Sequence, residues 1–77
     1  MDIPMTDVML HIDEDLDKSQ RNSLENYMRD QQGVIGLGYH DQQPHLMVVE
    51  FNPDQTSSMQ LLRSVTAKGL HAELIGL

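Results

Sequence analysis

Two helix-start signals, each placed just after a strand-like run, constrain this chain more than any other feature. Asp17 with Gln20, and Ser57 with Gln60, each set a capping residue three positions ahead of a glutamine. This is a variant of the capping box, in which each side chain satisfies the other's free backbone N–H. Ahead of the first signal, Asp7-Val8-Met9-Leu10-His11-Ile12 alternates, with Val8, Leu10 and Ile12 on one side and Met9 and His11 on the other. That is the period of a half-buried strand. Ahead of the second, Leu46 to Phe51 is rich in valine and flanked by turn residues, and it reads as another strand. A strand leading into a capped helix therefore occurs twice.

The intervals complete the pattern. The first helix is expected from its Asp17 cap to about Gln32, with Leu24, Tyr27 and Met28 as its apolar stripe and Gly33 ending it. Val34 to His40 reads as a strand thinned by Gly36 and Gly38, and Asp41-Gln42-Gln43-Pro44 as a turn. Asn52-Pro53-Asp54-Gln55 breaks the third strand. Leu61, Leu62 and Val65 make a short amphipathic helix closed by Gly69, and Leu70 to Ile75 is a fourth strand. The order β-α-β-β-α-β is the ferredoxin-like arrangement. It predicts an α+β domain with a four-stranded antiparallel sheet and two helices on one face. Residues 1–5, which include Pro4, are expected to be a loose lead-in, and residues 6–77 a single domain.

Three local motifs in this order resemble the heavy-metal-associated domain, a small copper- and zinc-carrying module. Gly33-Val34 follows helix 1. Val49-Glu50-Phe51-Asn52-Pro53-Asp54 leads into Thr56-Ser57, an aromatic followed by an Asn-Pro turn and a cap. Lys68-Gly69-Leu70-His71-Ala72-Glu73 follows that family's Gly-aromatic-x-Ala pattern with Leu70 in the aromatic place. The resemblance spans Val8 to Leu74. It implies a Cys-x-x-Cys opening helix 1, and counting back from Gly33-Val34 puts those positions at Asp17 and Gln20, with the family's preceding methionine at Asp15. The chain contains no cysteine. Thiolates are the soft ligands that hold Cu(I) and Zn(II), whereas a carboxylate and an amide are hard. The resemblance thus implies the fold without thiolate-to-thiolate metal transfer.

Charge narrows the partners. Twelve acidic residues against five basic ones give a net charge of -7, which repels a phosphate lattice and an anionic membrane surface. Neither nucleic acid nor membrane is expected as a partner. No run approaches the roughly 18 apolar residues of a membrane span. The start MDIPMTD has neither the basic region nor the apolar core of a signal peptide. With the absence of cysteine, this predicts a cytoplasmic protein.

Several residue groups remain as candidate sites. Asp13-x-Asp15-x-Asp17 matches the opening of a calcium loop, but Lys18 stands where glycine is required and Leu24 where glutamate is required. A solvated, helix-capping acidic loop is the expectation there, with weak divalent-cation binding as the alternative. His11 faces outward on the first strand and His71 and Glu73 share the outward face of the fourth, so a His/His/Glu group for Zn(II) or Ni(II) is possible if the register brings His11 to one of them. His40 and His45 flank the turn and read as exposed. Met28, Met47 and Met59 read as core filler. There is no nucleophile motif or phosphate-binding glycine loop, and no cofactor or enzymatic activity is expected. The open face of the sheet would carry Met9, His11, Leu46, Val48, Glu50, His71, Glu73 and Ile75 with Gly36 and Gly38, and Met9, Leu46, Val48 and Ile75 would form an apolar patch on it. The leading expectation is a non-enzymatic interaction module that contacts a protein partner or itself through that face or the acidic loop. A metal-binding protein using Asp, His or Glu ligands is the alternative. A metabolite-binding domain is a third class the fold allows.

Overall fold

Alternation in β1 (Thr6–Ile12) decides the core. Val8, Leu10 and Ile12 are buried, with Leu10 fully so, while Met9 and His11 stay half-exposed on the other side. The structure, a computed structural model, describes residues 4–40 and 42–75. The remaining elements are α1 (Lys18–Arg29), β2 (Val34–His40), β3 (Gln43–Phe51), α2 (Ser58–Thr66) and β4 (Ala72–Ile75). The strands form one sheet in the order β2-β3-β1-β4, with every pair antiparallel. This is the ferredoxin-like β-α-β-β-α-β arrangement.

Inward residues of β1 and of β3 (Met47, Val49, Phe51) meet Leu24 and Met28 of α1 and Leu61 and Val65 of α2. Burying a side chain of this size stabilises the fold by about 1.5–3 kcal/mol, so these ten buried residues are its main support. Tyr27 packs against the same cluster, and the Lys68 ammonium lies 4.3 Å from its ring centre, a favourable cation–π contact.

Three boundaries differ from the sequence reading, and each has a local cause. Helix α1 stops at Arg29 with Asp30 as its C-cap, short of Gln32. The Met28 carbonyl accepts from Gln31 N–H at 3.1 Å and the Gln31 carbonyl from Val34 N–H at 3.2 Å, turning the chain out of the helix early. Gly33 then takes φ +86 in the link to β2, not at the helix end. A Cβ at Gly33 would come within 2.9 Å of Thr56 Cγ2, so both backbone sign and space demand glycine there. Strand β3 begins at Gln43, because Gln42 adopts φ 59 and shortens the hairpin. Strand β4 begins at Ala72, not Leu70, because the His71 N–H is taken by the Glu14 carboxylate at 2.9 and 3.1 Å.

Two further differences concern exposure. Met59 is 51% exposed and is not core filler. In the expected lead-in, residues 1–3 lie outside the described residues, while Pro4 and Met5 are exposed and precede β1; Asp41 of the expected turn also lies outside them.

The Tyr39 hydroxyl is buried without a hydrogen-bond partner among the described residues. Burial pushes it up to about 12, with the nearby Glu25 charge adding to the shift and Arg21 opposing it. An unsatisfied buried hydroxyl costs about 1–3 kcal/mol. Tyr39→Phe is therefore expected to leave stability unchanged or raise it by up to about 1 kcal/mol, read from the urea midpoint. A loss would mean that the hydroxyl has a partner in solution.

Candidate metal centre

Three strands deliver a histidine or an acid to one end of the sheet, and the loop between β1 and α1 supplies three consecutive acids to meet them. His11 lies opposite Leu46 of β3 and Glu73 of β4. Its Nδ1 is 3.1 Å from Asp13 Oδ1 and 3.1 Å from Glu73 Oε1. His71, in the link before β4, has its Nδ1 2.6 Å from Glu14 Oε2. His45, near the start of β3, places Nε2 3.0 Å from Asp15 Oδ1 and Nδ1 2.6 Å from the Ile12 carbonyl, to which it donates. Asp13, Glu14 and Asp15 are thus each held by a histidine from a different part of the chain. The His11 and His45 rings stack with centres 5.7 Å apart and planes 18° off parallel.

Within this cluster, His11, Asp13 and Glu73 offer ligand atoms that all lie within 4.8 Å of one another. Two acceptor-only carboxylates converge on one imidazole nitrogen, and a single N–H cannot point at both. Tetrahedral ligands at the usual Zn–N and Zn–O distances are about 3.3 Å apart, so the 3.1 Å contacts already approximate two edges of such a site. The side chains remain 36% to 57% exposed, which leaves room for water in the other coordination positions.

Sequence reasoning brought His11 and Glu73 together but not the third member. His71 does not join them: it stands outside β4 and is engaged by Glu14. Asp13, Asp15 and Asp17 do not converge either. Asp13 turns to His11, Asp15 to His45, and Asp17 caps α1. Gln20 N–H donates to Asp17 Oδ1 at 2.8 Å and Asp17 N–H to Gln20 Oε1 at 2.9 Å. The two positions that the resemblance assigns to cysteines therefore face each other, but they consume each other's hydrogen-bonding capacity. His45 and Glu14 were missed. His45 is half-buried, not the exposed turn residue expected. In the sequence Glu14 shows only as one acid of the 13–17 run and His45 only as a histidine beside the hairpin turn.

On the open face, the register lines up Gly38, Val48, Met9 and Ile75 in one row across the four strands, with Leu46, His11 and Glu73 in the next. Met9, Leu46, Val48 and Ile75 are all half-exposed.

Solved structures share this architecture. An oxidized MerP from Ralstonia metallidurans CH34 superposes with a TM-score of 0.81 at 15% identity, covering 94% of this chain and 99% of its own. A copper-binding domain from HMA7, a P-type ATPase, gives 0.81 at 17% identity, covering 91% and 93%. The mercury-bound form of MerP, the periplasmic protein of the bacterial mercury detoxification system, gives 0.73 at 14%, covering 94% and 99%. The chain has the heavy-metal-associated fold. No family model and no curated protein matches its sequence. Among the described residues no helix is long and apolar enough to cross a membrane.

The Glu14–His71 pair gives a pH signature. Hydrogen bonding to the His71 side chain, then to its backbone N–H, holds the Glu14 carboxyl below its ordinary 4.5. The Glu14 hydrogen bond, then its charge, raises His71 above 6.5. The Glu14 contribution to stability is present above 4.5 and is lost as pH falls through its lowered value. The His71 contribution is complete below 6.5 and is lost as pH rises through its raised value. An NMR titration should place His71 above 6.5, and Glu14→Gln should move it down. An unmoved His71 would rule the pair out.

Proposed function

We propose that this chain is a non-enzymatic metal-binding module that holds a divalent cation with His11, Asp13 and Glu73 in place of thiolates. The observation that carries the reading is the convergence of both carboxylates on His11 Nδ1 at 3.1 Å. A cation there satisfies all three groups at once. The likeness of fold to MerP and to the copper-binding domain of HMA7 is consistent with it.

The donor set selects the metal. One borderline imidazole and two hard carboxylates favour Zn(II), Co(II), Ni(II) or Mn(II) and disfavour the thiophilic Cu(I). Three protein ligands leave at least one position to solvent, and exposed ligands allow rapid exchange. The neighbouring pairs hold the frame. His45 ties Asp15 to the Ile12 carbonyl, and Glu14 ties the same loop to His71, so Asp13 is presented by a loop fixed on both sides.

Residue-resolved NMR and calorimetry with Zn(II) test this. Saturable shifts should centre on His11, Asp13 and Glu73, and His11→Ala or Glu73→Ala should weaken binding about tenfold or more. Asp17→Ala should cost about 1 kcal/mol of stability through the lost cap while leaving Zn(II) affinity unchanged. Binding that survives His11→Ala, or that depends on Asp17, would refute the assignment.

A further inference from the structure

Strand β2 forms one edge of the sheet, since the order is β2-β3-β1-β4. Along seven residues its outer backbone N–H and C=O groups have no neighbouring strand among the described residues. Such edges are usually protected by charge, proline or a bulge, because they are templates for pairing. Here neither charge nor proline protects it. Residues 31–40, Gln-Gln-Gly-Val-Ile-Gly-Leu-Gly-Tyr-His, hold no Asp, Glu, Lys, Arg or Pro, and no other stretch of the chain runs as long without a charged residue. The pairing with β3 shifts register twice, between Val34 and Gly36 and between Tyr39 and His40. The first shift leaves Ile35 49% exposed, an apolar side chain and not a charged guard.

We propose that β2 pairs antiparallel with β2 of a second copy of this chain, joining two four-stranded sheets across a two-fold axis near Leu37. An antiparallel edge is self-complementary about such an axis, so one strand suffices for a closed dimer. Gly36 then lies opposite the second copy's Gly38. Both lack a side chain on the open face, and a Cβ at Gly38 would meet nothing within 4 Å.

Between two copies of the chain, charge decides which edge is shared. Two copies carrying -7 each repel wherever acids meet. The opposite edge, β4, bears exposed Glu73 and adjoins Asp13 and Glu14, so it is a poor place for twins to approach. Joined at β2, the order becomes β4-β1-β3-β2 followed by β2-β3-β1-β4. The two β1 strands then stand five strand spacings apart, about 24 Å. That exceeds the Debye length of about 8 Å at physiological salt, so the acidic loops at the ends of β1 are screened from each other. One strand pair buries less than the roughly 1,200 Å² typical of stable complexes, which makes this a weak, exchanging dimer.

The inference does not rest on the metal reading, because β2 and β4 are opposite edges and the experiment contains a chelator. Sedimentation equilibrium of the full chain with EDTA, from micromolar to millimolar, should show a monomer–dimer equilibrium. Amide exchange in Ile35–Tyr39 should slow as concentration rises. Gly38→Lys, whose side chain has open space, should keep the native circular dichroism and weaken dimerisation about tenfold or more. Ile35→Glu should do the same. A chain monomeric at millimolar concentration overturns the proposal. So does a dimer protected at β4 or at Met9, Val48 and Ile75, or one indifferent to both substitutions.

Discussion

Strand β1 is paired on both sides, to β3 through Thr6–His11 and to β4 through Met9–Ile12, and the rest of the molecule is arranged around that double pairing. Its inward residues sit at the middle of the core. Its outward residues start the rows that cross the open face. Its last residue gives its carbonyl to His45 and its chain to the acidic loop. Because side-chain period is two, a slip of one residue would send Val8, Leu10 and Ile12 to solvent and His11 into the core. The burial of three large aliphatic residues is thus also what keeps an imidazole at the surface, facing Glu73.

Electrostatics follow from the same topology. The loop after β1 gathers Asp13, Glu14 and Asp15, and each is met by a histidine and not by a lysine or arginine. Imidazole is the one partner among these that both neutralises a carboxylate and ligates a cation. The β2–β3 side of the sheet is nearly free of charge. The molecule is consequently polar along the sheet, with an acidic side at β1 and β4 and an edge strand, β2, that has no acid or base of its own apart from His40.

The fold was legible because its signals are periodic and local. The alternation of β1 and the two capping pairs gave element order, and element order with antiparallel pairing left a single familiar arrangement. Ends of elements were less legible, for they turn on single hydrogen bonds. The Glu14 carboxylate on the His71 N–H removes two residues from β4, and no propensity encodes a contact fifty-seven positions apart. The site was half legible for the same reason. Parity put His11 and Glu73 on one face, but register decided that they meet, and loop geometry decided that Asp13 and not His71 completes the group.

The reciprocal bonds between Asp17 and Gln20 carry one more consequence. Cysteines at a helix start can be oxidised to sulfenic acid or locked as a disulfide, and a metal held there is lost with them. A carboxylate and an amide have no oxidation states to change. The Asp17–Gln20 cap at the opening of α1 therefore offers no group for peroxide or thiol–disulfide exchange to convert. The carboxylate and imidazole groups beside it are equally indifferent to the prevailing thiol–disulfide balance.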